Sequence, residues 1–163
     1  MAGYHAGVVI RRLLFRLPAR VSHATVPAVT YTEPELAQVG MTEAAAREVY
    51  GDKAKVLTAS FAENDRARAE QTTDGSIKVI AGPRGRILGA GIVGSHAGEL
   101  IQPWVLALAN GLKIGAMATV IAPYPTLGEI GKRAAGNFYT ASLYGPRVRA
   151  LVRFLSRLGR KST

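Results

Sequence analysis

The side chains best suited to chemistry lie in the stretch "TVIAPYPTLGEIGKRAA", residues 119–135. It combines the phenol of Tyr124, the hydroxyl of Thr126 and the carboxylate of Glu129, but neither histidine nor cysteine. A phenol with a pKa of about 10 donates a hydrogen bond or contacts a metal at neutral pH more readily than it abstracts a proton. The residues alone leave open a catalytic site, part of one, or ordinary structure, in which the phenol is an interface aromatic and the carboxylate stabilises a helix N-terminus.

Hydrophobic spacing predicts the elements that must position this stretch. Helices are predicted over residues 2–17, 42–50, 97–110, 113–120, 126–135 (capped by Thr126) and 146–159, with Pro103 at a kink or in an early turn. Strands are predicted over 27–32, 34–40, 54–62, 75–81 and 86–94, and "DRARAE" as a short polar bridge. The strands are grouped, and the last two flank the turn signal "GPRG". This order indicates an α+β fold, with an antiparallel sheet, helices packed on one side of it, and helices at both termini.

Gly89, Gly91 and Gly94 match the pattern G-x-G-x-x-G between a strand and a helix. In a dinucleotide-binding turn, such glycines admit a pyrophosphate to the helix N-terminus. Here the glycines fall largely inside the predicted strand, and no acidic residue occurs between Glu99 and Glu129 to hold a ribose. The pattern therefore favours a glycine-rich strand against which a helix packs closely, and it predicts no cofactor site in this chain alone.

Composition narrows the class of protein. A chain of 163 residues forms one domain of ordinary size. The absence of cysteine excludes a disulfide, a thiolate metal site or a redox dithiol made by this chain alone, and it favours a reducing, cytoplasmic compartment. No apolar run is long enough to span a membrane, and charge interrupts the apolar N-terminal run, which argues against a signal peptide. Eight of the 21 basic residues follow Glu129. The part of the chain up to Glu129 is therefore near neutral, and no nucleic-acid-binding face is expected on it.

Four segments, in this order, resemble the C-terminal dimerisation domain of the FAD-dependent pyridine nucleotide-disulfide oxidoreductases, the family of dihydrolipoamide dehydrogenase, glutathione reductase and mercuric reductase. They are "VPAVTYTEPELAQVGMTEAAAR", "ENDRARAE", "GSIKVIAGPRGRILGAGIVGSHAGELIQ" and "PYPTLGEIGKRAA". The segment "AGYHAGVVIRRLLF" also resembles the helix that follows the family's FAD domain. The resemblance divides the chain into a linker helix over 1–25, a dimerisation domain over 26–136 and a basic amphipathic extension over 137–163.

The resemblance implies a homodimer in which the FAD domain, the NAD(P) domain and a cysteine pair lie upstream, so this chain alone would be inactive. In the family, this domain lends a histidine, and a glutamate five residues later, to the partner subunit's dithiol. Glu129 matches the glutamate, but Tyr124 stands where the histidine is expected, which puts ordinary dithiol acid–base catalysis in doubt. A tyrosine here looks like the mercuric reductases, although this chain lacks their C-terminal cysteine pair. The implied role is that Glu129 orients Tyr124 and both face the partner's redox site.

Other residues are expected to serve the interface or the core. The resemblance places His96, Glu99, Pro123, Pro125 and Thr126 at or near the subunit interface. Trp104 is expected as a core or subunit-contact anchor. His5 and His23 are expected to be solvated or to act as capping residues.

The last predicted helix has an apolar stripe with arginines around it. The stripe consists of Val148, Leu151, Val152, Leu155 and Leu158, and the arginines are Arg147, Arg149, Arg153, Arg157 and Arg160. Such a helix can pack on its own domain, on a partner subunit or on an anionic membrane surface. Three functions follow: assembly domain of a flavin-dependent NAD(P)H oxidoreductase, free-standing dimeric binding module, or basic module for a membrane surface or nucleic acid.

Overall fold

The computed structural model describes residues 1–21, 23–143 and 145–159. The strands are β1 (Ala28–Thr30), β2 (Glu35–Gly40), β3 (Lys55–Ser60), β4 (Ser76–Ala81) and β5 (Ile87–Gly94). The helices are α1 (Ala2–Leu13), α2 (Glu43–Tyr50), α3 (Asp65–Ala69), α4 (Ala97–Leu100), α5 (Gln102–Ala109), α6 (Ile114–Thr119), α7 (Glu129–Leu143) and α8 (Pro146–Gly159). Three short 3-10 turns join them, at Gly51–Lys53, Phe61–Glu63 and Pro83–Gly85.

The five strands form one antiparallel sheet in the order β1-β2-β5-β4-β3. β4 and β5 form the predicted hairpin, in which Val79 lies opposite Ala90. On its other side β5 pairs with β2, where Ala90 lies opposite Val39. The sheet and the helices at both ends confirm the predicted α+β antiparallel fold.

The glycines of β5 lie inside the sheet, as predicted. A Cβ at Gly89 would lie 2.2 Å from the carbonyl oxygen of Met41, and a Cβ at Gly94 would lie 2.4 Å from the ring of Phe61. Gly94 also has φ of 153°, which side chains rarely adopt. Because protein atoms fill these positions, the G-x-G-x-x-G pattern forms a closely packed central strand and not a phosphate-binding turn.

The main core lies on one face of the sheet. Ile77, Val79 and Ile92 of the sheet are buried there with Trp104 of α5 and Ile130 of α7. Each such side chain contributes about 1.5–3 kcal/mol when it is removed from water. Trp104 is 2% exposed, so in this chain it is a core residue.

A smaller cluster occupies the opposite face, where α2 packs. It contains Ala46, Ala54, Ile80 and Leu88. α2 begins after Thr42, whose hydroxyl accepts a hydrogen bond from the N–H of Ala45 at 3.3 Å. The helices therefore lie mainly on one side of the sheet, with α2 on the other.

The two outer strands of the sheet are short or covered. β1 has three residues. β3 lies beside α7, and Nδ2 of Asn137 donates a hydrogen bond to the carbonyl oxygen of Thr58 at 2.8 Å. Lys55 of β3 also lies over the ring of Phe138, with Nζ 4.8 Å from the ring centroid.

Several element boundaries differ from the prediction. "DRARAE" was expected as a bridge but contains α3, because Asn64 supplies a helix cap. The helix expected over 97–110 is divided at Ile101 into α4 and α5, and Pro103 lies in the first turn of α5, where no N–H is needed. The helix expected to end at Ala135 continues to Leu143, across the boundary expected at residue 136.

The terminal helices are little buried. α1 ends at Leu13, short of the predicted residue 17, and contains no buried residue. The described residues do not include Arg160 and Lys161. The side chains of Arg147, Arg157 and Leu158 are not described either. Across the described ranges, none of the helices combines the length and apolar character needed to cross a bilayer.

Candidate functional site

The loop between α6 and α7 presents Tyr124 at the surface. Its side chain is 71% exposed, and its peptide bond to Pro125 is cis. The hydroxyl of Tyr124 donates a hydrogen bond to Oδ2 of Asp65 at 3.1 Å. Asp65 is the first residue of α3, so an element from the other half of the chain positions this exposed phenol.

The buried side chain of Asn64 anchors the same loop. It is 5% exposed, and it is the one buried polar residue among the described residues. Its Oδ1 accepts a hydrogen bond from the N–H of Ala67 at 2.9 Å and so caps α3. Its Nδ2 donates to the carbonyl oxygen of Thr126 at 3.0 Å. One side chain therefore fixes both the start of α3 and the backbone two residues after Tyr124.

Thr126 and Glu129 interact differently from the prediction. The hydroxyl of Thr126 donates to the carbonyl oxygen of Pro123 at 2.8 Å, and α7 begins only at Glu129, so Thr126 is not the helix cap. Instead, Oε2 of Glu129, the first residue of α7, accepts from the N–H of Thr126 at 3.3 Å and so joins the helix to the loop. Glu129 was expected to orient Tyr124, but the one hydroxyl proton of Tyr124 goes to Asp65.

The carboxylates of Asp65 and Glu129 raise the pKa of Tyr124. The hydrogen bond to Asp65 raises the pKa of Tyr124 above its ordinary value, and the negative charge of Asp65, slight desolvation and the charge of Glu129 act in the same direction. At neutral pH the phenol is thus a hydrogen-bond donor and a poor base. This agrees with the doubt about acid–base catalysis that the missing histidine raises.

Most of the predicted interface residues lie around one open hollow of 460 Å³ beside the loop. His96, Glu99, Pro125 and Thr126 line it, together with Arg66, Glu70, Leu100, Leu127 and Gly128. His96 precedes α4 in a left-handed backbone conformation, with φ of 58°. Glu99 accepts a hydrogen bond from Nε2 of Gln102 at 3.1 Å. Across the described residues, no group of three or more histidine, cysteine, aspartate or glutamate side chains is placed to hold a metal ion.

An apolar groove of 440 Å³ adjoins this hollow and shares Glu99 and Thr126 with it. Pro123 lines this groove rather than the hollow. Large apolar side chains are exposed along it: Leu106 by 65%, Leu112 by 40%, Val120 by 48% and Ile121 by 93%. The segment of residues 119–129 therefore forms one wall of an uncovered apolar groove.

Asn64 and Asp65 were missed as site residues. Both lie in the segment "ENDRARAE", which contributes to the family resemblance but was expected to be a polar bridge. The available signal was local, since an asparagine three residues before an alanine-rich turn is typical of a helix cap. Its pairing with a loop about 60 residues later has no local signature.

Comparison with known proteins places this fold among the flavoprotein oxidoreductases. The structure is similar to the HOCl-induced flavoprotein disulfide reductase RclA from Escherichia coli, with 28% identity and a TM-score of 0.73 over 80% of this chain and 30% of that chain. LpdA from Mycobacterium tuberculosis shares the fold, with a TM-score of 0.74 over 82% of this chain and 29% of that chain, at 24% identity.

Sequence comparison also finds oxidoreductases as relatives of this chain. The chain is 40% identical to a dihydrolipoyl dehydrogenase of Bacillus subtilis over 121 residues, which is 72% of this chain and 25% of that protein. It is 35% identical to the mercuric reductase of Bacillus cereus over 140 residues, 85% of this chain and 22% of that protein. The chain thus spans about a quarter of the length of these relatives. It belongs to the pyridine nucleotide-disulphide oxidoreductase dimerisation domain family, whose model matches residues 26–135.

Proposed function

We propose that this chain is the dimerisation and interface domain of a flavin-dependent NAD(P)H oxidoreductase, and that it acts as a homodimer. The observation that carries this proposal is the geometry of residues 119–129, which this proposal makes the redox loop. Asn64 and Asp65 hold this loop by hydrogen bonds, and it exposes Tyr124 beside an uncovered apolar groove. A rigid loop beside an apolar surface is suited to completing a site on another subunit.

The apolar groove supplies the driving force for association. Ile121 of the redox loop and Leu106 of α5 both line the groove, and they are exposed by 93% and 65%. Removing one isoleucine side chain from water contributes about 1.5–3 kcal/mol, and a two-fold dimer buries it twice. The same groove continues into the hollow lined by His96 and Glu99, which extends the proposed contact.

The redox loop would give Tyr124 and Glu129 to the partner's redox site. Tyr124 arrives as a protonated phenol at neutral pH, because its pKa lies above the ordinary tyrosine value of about 10. It can therefore release its hydrogen bond to Asp65 and donate one to an electron-rich group on the partner subunit. Glu129 supports this role from behind, since its carboxylate holds the backbone of Thr126.

FAD and NAD(P) belong, in this proposal, to the domains of the full-length parent. The described residues do not fit either cofactor at the glycine pattern, because the Met41 carbonyl and the Phe61 ring occupy the space that a pyrophosphate would need. No catalytic step is therefore assigned to this chain alone. In this proposal, the chain contributes by positioning the phenol of Tyr124 and the carboxylate of Glu129.

The self-association of the full chain tests the proposal. Sedimentation equilibrium should show a dimer, and Ile121→Asp should raise its dissociation constant by about 100-fold or more, since two buried isoleucines are lost. Val49→Asp is the matched control, because Val49 is also exposed (63%) but lies on α2, on the opposite face of the sheet. A strictly monomeric chain at submillimolar concentration, or equal weakening by both variants, would count against this face as the dimer interface.

A further inference from the structure

The amphipathic helix α8 takes no part in the proposed dimer contact or redox loop. At 3.6 residues per turn, one side of α8 carries its large apolar side chains and the other its cationic and polar ones. The apolar face consists of Val148, Leu151, Val152, Phe154 and Leu155, and the polar face contains Arg149, Arg153 and Ser156.

The apolar face of α8 is not packed on its own domain. Leu151, Val152, Phe154 and Leu155 are exposed by 54%, 58%, 60% and 55%, respectively. At the end of the preceding helix, Leu143 is exposed by 59%. The sequence left open packing of this helix on its own domain, on a partner subunit or on an anionic membrane surface. This structure does not support packing on its own domain.

The polar face of α8 carries uncompensated positive charge. Nε of Arg153 donates to the carbonyl oxygen of Arg149 at 3.3 Å, which is a contact within the helix. Within the part of the chain that the structure describes, none of the ion pairs involves α8. No acidic residue occurs after Glu129, so the whole C-terminal segment is cationic.

We propose that α8 docks on an anionic phospholipid surface, lying flat with its apolar face among the acyl chains and its arginines at the headgroups. A strongly amphipathic helix with arginine on one face and leucine or phenylalanine on the other binds membranes in this orientation. Its 14 residues span about 21 Å, too short for the hydrocarbon core of a bilayer. The helix therefore lies in the interface.

A second copy of this chain is the competing occupant, and charge complementarity argues against it. Basic residues outnumber acidic ones by 21 to 11, so a second copy carries a net charge of +10. Of the acidic residues, Glu43, Glu63 and Glu70 already form ion pairs within the chain. A second copy therefore presents the same sign of net charge as the arginine-bearing helix. An anionic lipid surface attracts each arginine within a Debye length.

The test is sedimentation of the full chain with phosphatidylcholine vesicles, with and without phosphatidylserine. Binding is expected only when phosphatidylserine is present and should be reversed by high salt. Arg149→Gln/Arg153→Gln should weaken binding about fivefold per arginine, or about 25-fold together. Leu151→Ser/Leu155→Ser, which keeps the charge, should weaken it by about 100-fold or more.

Two controls separate docking by α8 from general attraction and from loss of folding. Arg11→Gln/Arg12→Gln removes the same charge from α1 and should change binding less than about twofold, because charges away from the contact are screened. Leu155→Trp places a probe on the apolar face; anionic vesicles should blue-shift its emission, and brominated lipids should quench it. The only native tryptophan, Trp104, is 2% exposed and supplies a constant background.

The proposal is overturned if the Arg11/Arg12 and Arg149/Arg153 variants lose binding equally, or if phosphatidylserine has no effect. It is also overturned if Leu155→Trp reports no insertion. If Leu151→Ser/Leu155→Ser instead dissociates an oligomer and leaves vesicle binding intact, the occupant of this face is a second copy. None of these outcomes depends on whether Ile121 lies in the dimer interface.

Discussion

Replacing Asn64 by alanine should destabilise the protein and loosen the redox loop at the same time. The side chain is 5% exposed and makes two hydrogen bonds, one that caps α3 and one to the carbonyl oxygen of Thr126. Loss of a helix cap costs about 1 kcal/mol. Leaving the partly buried carbonyl of Thr126 without a donor costs about 1–3 kcal/mol. We therefore expect Asn64→Ala to lower the free energy of unfolding by about 2–4 kcal/mol.

Two further variants separate the cap from the loop contact. Asn64→Ser keeps an oxygen that can cap α3 but loses the donor to Thr126, so it should retain the cap contribution and still loosen the loop. Thr42→Ala removes a cap from α2 without touching the loop and should cost about 1 kcal/mol. Urea unfolding measures the free energies, and amide hydrogen exchange of residues 120–128 measures the loop.

The expected pattern is specific. Exchange in residues 120–128 should accelerate in both Asn64 variants and remain unchanged in Thr42→Ala. The reasoning is refuted if Asn64→Ala costs no more than Thr42→Ala. It is equally refuted if the loop exchanges at the parent rate in both Asn64 variants, because the hydrogen bond to Thr126 would then not hold it.

Two further predictions concern Tyr124 and the central strand. In an ultraviolet titration, Tyr124 should ionise above the ordinary tyrosine pKa, and Asp65→Asn should lower its pKa; if Asp65→Asn leaves it unchanged, the hydrogen bond is not the cause. Since the raised pKa belongs to the folded state, its contribution to stability is complete below about pH 10 and is lost as the pH rises through the folded-state pKa. Gly89→Ala should destabilise by at least about 1–3 kcal/mol in urea unfolding, because its Cβ would lie 2.2 Å from the carbonyl oxygen of Met41. Gly91→Ala should be tolerated, since its Cβ would come no closer than 3.8 Å to another residue, and equal costs would contradict the close-packing account.

The antiparallel sheet and its β4–β5 hairpin were predictable because their signals are local, whereas the strand order, which pairs β2 with the distant β5, was not predicted. Apolar alternation and the "GPRG" turn indicated the β4–β5 hairpin, and the position of the glycines inside a β-rich run argued correctly against a nucleotide-binding turn. The predicted cap at Thr126 was wrong. Its hydroxyl satisfies the Pro123 carbonyl, and Glu129 reaches back to its N–H. A sequence shows that a threonine can cap a helix, but it does not show which neighbouring group forms a hydrogen bond with its hydroxyl.

The candidate site was only partly predictable. Tyr124 and Glu129 were found from the loop and from the family resemblance, and their roles remain predictions. Asn64 and Asp65 were not found, because their partners lie 62 and 59 residues away along the chain. Pairings over such separations are set by the tertiary fold, so no pattern of spacing reveals them. Glu129 was expected to orient Tyr124, whereas the hydroxyl of Tyr124 donates to Asp65.

The outer strands, one short and one covered, restrict how copies of this chain can join. β1 offers three residues for pairing, and on β3 the carbonyl oxygen of Thr58 is already taken by Asn137. Extension of the sheet from one molecule into the next is therefore disfavoured at both ends. Association directed to the helical face produces a closed pair, whereas strand addition would propagate into fibres. A truncated variant in which α7 ended before Asn137 would uncover the Thr58 carbonyl and should be more prone to aggregate.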